Sequence, residues 1–253
     1  MTNEYLKTGV EGLDSILGGG ISEGSTVLVN GNPGTGKSIL SLQYLYSGVE
    51  EHDQGGVYLN FEENIDDISE VANSLGFDRW DEFVESGEIE VYDKRDLLEE
   101  QEFSSSLNRI LEELDTEEYS RLVMDSLTMF EMFFESEDKK RTYLLKLIDL
   151  LKYNGFTSLL TRESKAIFPD RDIGLEEFLT DGNIYLVQTP TSSKANRYIW
   201  VAKMRKQDID THIFPMELGR GGIKVHENAA GFSYMNENES FDGDDAGFGG
   251  GGP

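Results

Sequence analysis

The sequence contains no cysteine, only five prolines and only three histidines among its 253 residues. Without cysteine the chain forms no disulfide, offers no thiolate to a metal ion and has no cysteine nucleophile. No stretch approaches the roughly 18 consecutive apolar residues of a membrane-spanning helix, and the first residues lack the apolar segment of a secretory signal. We therefore expect a cytoplasmic protein with no membrane insertion.

Basic residues are scarce as well. The chain has 22 Lys and Arg against 49 Asp and Glu, a formal net charge of -27 at pH 7. Nucleic-acid binding normally rests on clustered Lys and Arg, so this balance argues against unaided binding of DNA or RNA. An acidic surface suits concentrated salt, where screening over roughly 3 Å at 1 M weakens the self-repulsion of the folded chain. We expect a protein from a halophilic archaeon.

The composition predicts one folded domain followed by a tail. Hydrophobic residues make up 38% of the chain and aromatic residues 11%, which is ample for a packed core. Near Asn228 the composition changes to Gly, Asp, Glu and Ser. We expect a domain over residues 1–228 and a flexible, acidic, Gly-rich tail over residues 229–253, which is either a solvated appendage or a docking peptide.

Apolar periodicity predicts alternating strands and helices. The predicted strands are Thr26–Asn30, Val57–Phe61, Leu122–Asp125, Thr157–Thr161, Ile184–Val187 and Tyr198–Ala202. Two groups of apolar residues have helical spacing, namely Leu107, Ile110, Leu111 and Leu114, and Leu144, Leu147, Ile148 and Leu151, the second ending at Gly155. This alternation predicts an α/β fold with a mainly parallel twisted sheet covered by helices on both faces. The short connection over residues 189–196 predicts an antiparallel edge.

The segment Gly31–Ser38 matches the pattern G-x-x-x-x-G-K-[ST] between a predicted strand and an apolar helix. Its glycines allow backbone N–H groups to point at phosphate oxygens, and the helix adds its positive N-terminal end. Lys37 is expected to reach the β and γ phosphates of ATP, and Ser38 to bind Mg²⁺. The predicted nucleotide-binding residues are Gly31, Asn32, Pro33, Gly34, Thr35, Gly36, Lys37, Ser38 and Ile39.

Carboxylates follow two other predicted strands. Asp125 ends an apolar run and has the form of a Walker B aspartate, acting through a water of the Mg²⁺ shell. Glu62 and Glu63 follow the strand after the loop, where one of them can orient or deprotonate the attacking water. The residues alone leave a second possibility open, that one of these glutamates begins the next helix. The candidate metal-binding residues are Ser38, Asp125 and Glu63.

Several motifs occur together in this order: Thr8–Asp14, Gly18–Ile21, the phosphate loop, Phe61–Glu63 and Asp125–Thr128. On these motifs the chain resembles the KaiC-like branch of the RecA superfamily over roughly residues 5 to 227, and it is similar to single-domain KaiC-like proteins of haloarchaea. The resemblance implies a RecA-like core, ATP with Mg²⁺, and a homohexameric ring with active sites between subunits.

The resemblance also implies roles for single residues. Glu62 and Glu63 would serve the attacking water, and Thr161 would be a polar sensor of the γ-phosphate. Lys203 and Arg205 match a Lys-x-Arg element that reaches the neighbouring subunit's γ-phosphate, as an arginine finger does; the alternative is a basic edge strand facing an acidic surface. The candidate catalytic residues are Glu62, Glu63, Lys37, Thr161, Lys203 and Arg205.

The chain departs from the family pattern in two places. Lys206 stands where Gly commonly follows the Lys-x-Arg element, and Ile209 takes the approximate position of a His, so slow turnover is expected. Glu177 and Phe178 match the position of a phosphorylated Ser and Thr in the family's clock protein, so autokinase activity on that pair is not expected. The clock protein has two such domains and this chain has one, so no timekeeping role follows.

Three functions share this phosphate loop. We expect a slow ATPase that acts as an oligomeric regulatory switch. A nucleotide-dependent scaffold or signalling module with little or no hydrolysis is an alternative, and a recombinase-like DNA-binding protein is a further one that the charge disfavours. The fold alone does not choose among them.

Overall fold

The structure is a computed structural model that describes residues 4–93, 109, 118–132, 134, 136–164, 174–190 and 195–229. The apolar residues of the first predicted helix (Leu107, Ile110, Leu111 and Leu114) and residues 230–253 of the predicted tail lie outside the described residues. None of the helices that the structure describes combines the length and the apolar character required to cross a membrane.

Strands and helices alternate along much of the described chain, as the periodicity predicts, and four consecutive strands follow at its end. The strands are β1 Tyr5–Leu6, β2 Ile21–Ser22, β3 Thr26–Gly31, β4 Gly55–Asn60, β5 Ile89–Tyr92, β6 Tyr119–Asp125, β7 Thr157–Glu163, β8 Gly182–Pro190, β9 Ala195–Met204, β10 Ile213–Gly219 and β11 Gly222–Val225. The helices are α1 Leu13–Ile16, α2 Lys37–His52, α3 Ile65–Leu75, α4 Trp80–Ser86, α5 Leu127–Glu131, α6 Glu137–Tyr153 and α7 Leu175–Leu179.

Nine strands form one sheet in the order β11-β10-β9-β8-β3-β7-β6-β4-β5. The strands from β8 to β5 in this order run parallel to one another, whereas the pairs β8–β9, β9–β10 and β10–β11 are antiparallel. The mainly parallel sheet with an antiparallel edge is therefore confirmed. The antiparallel edge includes two more strands, β10 and β11, than the sequence pattern predicted. Strands β1 and β2 form a separate antiparallel pair.

Each face of the sheet packs against its own apolar layer. Helix α2 lies on one face, where its Tyr46 stacks on Phe77 and lies against Phe83. Helix α6 lies on the other face and buries Leu144, Leu147, Ile148 and Leu151, the predicted apolar stripe. The predicted cover of helices on both faces is confirmed.

The parallel register brings chemically active residues to one end of the sheet. Gly31 at the end of β3 pairs with Glu163 at the end of β7, and Asn60 at the end of β4 pairs with Asp125 at the end of β6. We call this the carboxyl end of the sheet. The amino end is the opposite one, where Thr26 begins β3. Ligands of open parallel sheets bind at the carboxyl ends of the strands.

Lys206, just after β9, has a backbone φ of 66°. This left-handed conformation is uncommon for a residue with a Cβ atom and is readily adopted by glycine. It explains why the related pattern has Gly at this position. The turn is retained here with a lysine, at a conformational cost.

Lys206→Gly should raise the free energy of unfolding by about 1 kcal/mol, because glycine adopts this backbone conformation without a Cβ penalty. Equilibrium unfolding in urea measures the difference. Lys206→Ala is the matched control, since it removes the same charge and keeps the Cβ atom. An equal gain in both variants would show that the side chain of Lys206, and not its backbone conformation, is the cause.

Candidate active site

The loop between β3 and α2 is folded by its own polar atoms. Thr35 donates from Oγ1 to the carbonyl oxygen of Asn32 at 2.8 Å and from its backbone N–H to the same oxygen at 3.3 Å. A Cβ atom on Gly31 would clash with Thr35 Oγ1 and lie 2.8 Å from the carbonyl oxygen of Leu186. Glycine is therefore required where the strand enters the loop.

The loop leads directly into the first turn of α2. Gly34 and Gly36 have φ angles of 78° and 108°, which glycine adopts readily. Lys37 is the first residue of α2, and Ser38 follows it. The first N–H groups of a helix have no partner within the helix and carry the positive end of its dipole. The loop therefore has the backbone geometry that cradles phosphate.

The Lys37 ammonium is held inside the loop. Its Nζ donates to the carbonyl oxygens of Gly31 at 3.0 Å and Asn32 at 3.2 Å, and the residue is only 8% exposed. Its position beneath the loop is fixed by the backbone that the phosphates would contact. A cation held in this way is suited to a pair of phosphate groups.

Glu163 is a carboxylate of this site that the sequence motifs do not reveal. Burial lowers the pKa of Lys37, while the charges of Glu163, Asp125 and Glu62 oppose this change, with Glu163 the strongest of the three. Glu163 pairs in register with Gly31, which explains its proximity to the loop. Only the register of β7 against β3 reveals this proximity, because 132 residues separate the two positions along the chain.

Asp125 is buried at the end of β6 and accepts hydrogen bonds from both neighbouring strands. The Tyr58 hydroxyl of β4 donates to its Oδ2 at 2.9 Å, and Thr161 of β7 donates to its Oδ1. Burial, and then the negative charge of Asp125, raise the pKa of Tyr58 well above its ordinary value. Tyr58 therefore stays a neutral donor. Both carboxylate oxygens are fixed in place.

Glu62 and Glu63 lie in a turn between β4 and α3. Asn60 Oδ1 accepts the backbone N–H groups of Glu62 at 2.8 Å and Glu63 at 3.1 Å, and the Ser126 hydroxyl donates to Glu62 Oε1 at 2.7 Å. Helix α3 starts at Ile65, so neither glutamate begins it. Their position next to Asp125 rests on the Asn60 side chain.

The carboxyl group of Glu63 is accessible to solvent, yet its pKa is raised. Partial burial is the largest cause, followed by the charges of Asp125, Asp67 and Glu62. A carboxylate among like charges accepts a proton or a cation more readily than an isolated one. Glu63 is therefore suited to a role near Mg²⁺ or as a base.

Thr161 lies deeper than a simple strand-end position suggests. Strand β7 continues two residues beyond it to Glu163, because pairing with β3 persists as far as Gly31. Thr161 is fully buried, and its hydroxyl donates to Asp125. Its predicted role as a γ-phosphate sensor would be exerted next to this aspartate.

Lys203 and Arg205 do not meet the phosphate loop of their own chain. Met204, between them, pairs with Gly182, which pairs with Val27 near the start of β3. Gly31 lies four residues further along β3, so roughly 13 Å of strand separates the two levels. The Lys-x-Arg element thus lies at the amino end of the sheet, opposite the loop.

Both cations contact the C-terminal part of α7. Lys203 Nζ donates to the carbonyl oxygens of Glu177 at 2.8 Å and Thr180 at 2.5 Å, and Arg205 donates to the carbonyl oxygen of Phe178 at 3.0 Å. Positive charge is favourable at the C-terminal end of a helix. The Arg205 side chain is 45% exposed.

Asp181 completes this cluster. It accepts Lys152 Nζ at 2.7 Å and the backbone N–H of Thr26 at 3.1 Å, and Arg205 lies 3.5 Å away. Burial opposes its ionisation, but these donors and the charge of Arg205 lower the pKa of Asp181 below its ordinary value. Burial and the charge of Arg205 lower the pKa of Lys203.

The two departures from the family pattern have different surroundings. Ile209 packs against the core on the α2 face, where a charged imidazole would be disfavoured. Phe178 is 65% exposed on α7, while Glu177 accepts Arg162 at 3.0 Å. Neither Glu177 nor Phe178 carries a hydroxyl group.

The residues present fit ATP with Mg²⁺. Ser38 on the first turn of α2 and the fixed carboxylate of Asp125 would hold the ion, with Glu63 near Asp125. Within the described ranges no group of three or more His, Asp or Glu side chains forms a protein cage for a metal. Mg²⁺ usually takes one or two protein ligands and completes its shell with phosphates and water.

The fold and this loop define a RecA-like P-loop domain. Residues 6–230 match the family "ATPase: KaiC", and the chain belongs to that family. It is therefore a KaiC-like, ATP-binding domain.

The relatives agree with this assignment. The chain is 32% identical over 232 residues to the circadian clock oscillator protein KaiC of a Prochlorococcus marinus strain, covering 89% of this chain and 46% of that protein. It is 30% identical to KaiC of Synechococcus elongatus over 227 residues, covering 87% of this chain and 44% of that protein. The chain thus spans about half the length of these relatives.

A solved structure is also similar. It is a KaiC-like protein from the hyperthermophilic archaeon Pyrococcus horikoshii, with a TM-score of 0.76 and 32% identity. The match covers 88% of this chain and 99% of that one. The RecA-like fold of this chain is therefore shared with a structure of nearly the same extent.

Lys37→Ala should weaken ATP binding by roughly 100-fold or more, because it removes the buried cation that faces the phosphates. Titration calorimetry with ATP and Mg²⁺ measures the affinity. Lys224→Ala removes an exposed lysine on β11 that pairs with Glu11 at 2.6 Å, and serves as the control with unchanged affinity. Unchanged affinity in a folded Lys37→Ala protein would overturn the assignment of the loop.

Glu62→Gln, alone or with Glu63→Gln, should lower turnover by roughly 10² or more while ATP binding persists, the scale of a base or water-positioning group. Phosphate release under saturating ATP measures turnover, and calorimetry measures binding. Glu70→Gln removes an exposed glutamate of α3 and should leave both unchanged. Parental turnover in the double variant would mean that the attacking water is served by other groups.

Proposed function

We propose that this protein hydrolyses ATP slowly, assembles into a homohexameric ring with ATP at each subunit interface, and acts as a regulatory switch. The observation that carries the proposal is the separation of Lys203 and Arg205 from their own phosphate loop by the length of β3. If these cations contact a γ-phosphate, it belongs to a neighbouring subunit.

Within one subunit the loop binds the phosphates and Lys37 neutralises part of their charge. Ser38 and, through a water of the ion's shell, Asp125 would hold Mg²⁺, and the ion would supply positive charge against the transferred phosphoryl group. Glu62 and Glu63 orient the attacking water or take its proton. The fixed rotamer of Asp125, held by Tyr58 and Thr161, avoids reorganisation during the reaction.

The neighbouring subunit completes the site. Arg205 is exposed enough to be offered to a partner, and the carbonyl oxygens of α7 orient it together with Lys203. Cations at a subunit interface stabilise the transition state of phosphoryl transfer, as arginine fingers do. ATP then links two protomers, so nucleotide favours assembly by simple linkage.

Slow turnover is supported by the departures in the Lys-x-Arg region. Ile209 packs against the core and offers no imidazole to the interface, and Lys203 already binds carbonyl oxygens of its own chain. The same contacts favour the second candidate function, a nucleotide-dependent scaffold with little hydrolysis. Turnover under saturating ATP in high salt separates the two.

The experiment that tests the interface is a mixture of two inactive variants. Lys37→Ala subunits lack nucleotide binding and retain Arg205, while Arg205→Ala subunits have the reverse defect. Each should be nearly inactive alone, and the mixture should regain activity, since some interfaces combine one intact loop with one intact arginine. Phosphate release measures activity, and light scattering with ATP and Mg²⁺ measures assembly.

Two results would contradict the proposal. In the first, the mixture forms mixed oligomers but its activity does not exceed the summed activities of the two variants. Arg205 would then serve only the structure of its own subunit. A protein that stays monomeric with ATP and Mg²⁺ at high salt would remove the ring.

A further inference from the structure

Strand β7 contacts different groups on the two faces of the sheet. Consecutive residues of a strand point to opposite faces. Thr161 points to the α2 face and donates to Asp125, whereas Arg162 points to the α6 face and donates to Glu177 Oε1 on α7 at 3.0 Å. Adjacent residues of β7 therefore contact two different groups, namely Asp125 on one face of the sheet and helix α7 on the other.

The position of α7 depends on such contacts. The helix has only five residues, and so short a helix is not stable by itself in water. Its Glu176 is buried and lies 2.9 Å from Lys140 Nζ and 3.5 Å from Arg162. These ion pairs are shielded from solvent, so they are screened less by salt than surface pairs are.

The other end of α7 holds the Lys-x-Arg element. The carbonyl oxygens of Glu177 and Thr180 accept Lys203, and that of Phe178 accepts Arg205. Glu177 therefore makes two contacts, because its carboxylate pairs with Arg162 and its carbonyl binds Lys203. A shift of this residue moves the acceptors that orient both cations.

We propose that Glu177 is a positioning residue: its ion pair with Arg162 holds α7 so that the helix presents Lys203 and Arg205 to the nucleotide of the neighbouring subunit. This inference rests on the proposed function. In its own chain Glu177 contacts Arg162 and Lys203, and we infer that it acts through them. Its effect should therefore be felt at the neighbour's site and not at its own, which distinguishes positioning from a general effect on stability.

Glu177→Gln removes the charge of the pair and keeps the shape of the side chain. The test places it in either partner of the mixture of Lys37→Ala and Arg205→Ala subunits. In the first arrangement Glu177→Gln is added to the Lys37→Ala subunit, which supplies the cations. In the second it is added to the Arg205→Ala subunit, which supplies the phosphate loop.

We expect the first arrangement to lose activity by roughly tenfold or more, since small misplacements of catalytic groups are costly. The second arrangement should retain the activity of the reference mixture. Arg162→Lys keeps the positive charge on a shorter side chain, so it should show the same asymmetry between the two arrangements with a smaller loss of activity. This variant also provides the test if Glu177→Gln folds poorly. Glu82→Gln on α4 is the control, because it breaks an exposed ion pair with Arg79 that has no contact with α7, and it should change neither arrangement.

Equal losses in both arrangements would assign Glu177 to general stability, and a loss confined to the second would assign it to its own subunit's site. No loss, or a gain, in the first arrangement would also overturn the inference. In each of these cases the reference mixture still regains activity, so the proposed interface survives. If the reference mixture itself fails while mixed oligomers form, the interface and the inference fail together.

Discussion

The hydrogen bonds that fix Asp125 are the constraint on which the site depends. Tyr58 and Thr161 reach this carboxylate from the strands on either side of β6, so three neighbouring strands converge on one pair of oxygens. The backbone N–H of Phe61 also donates to the carbonyl oxygen of Asp125 at 2.8 Å. A change in the relative position of these strands would move the group expected to face Mg²⁺ and the turn that carries Glu62.

This arrangement links the two ends of the sheet through β7. On one face the strand contacts Asp125, and on the other it contacts the helix whose carbonyl oxygens hold Lys203. A packed sheet transmits a small displacement because its interior has little free volume. In the ring that we propose, each subunit would thus have a physical route from its own nucleotide to the cations that it offers to the next. The ring that we propose would couple its sites through this route.

The sequence predicts the parts of the site that are local in the chain. The phosphate loop is contiguous, Asp125 ends an apolar strand and Glu62 follows one, so pattern and periodicity suffice to predict them. Glu163 cannot be found in this way, because its relevance depends on register with Gly31. The buried Arg121 is missed too, since it lies within an apolar strand and its partners, such as the carbonyl oxygens of Lys7 and Tyr44, are remote in sequence. Contacts between residues that are distant along the chain cannot be predicted from these sequence patterns alone.

The distribution of charge favours a head-to-tail contact. The carboxyl end of the sheet gathers Asp125, Glu62, Glu63 and Glu163, and bound triphosphate would add to this negative charge. The amino end carries Lys203 and Arg205 in a chain with a net charge of -27. Two different surfaces that meet head to tail form a heterologous interface, and such interfaces close into a ring when the rotation between subunits permits. In the ring that we propose, each nucleotide would lie between an acidic loop region and the neighbour's cations.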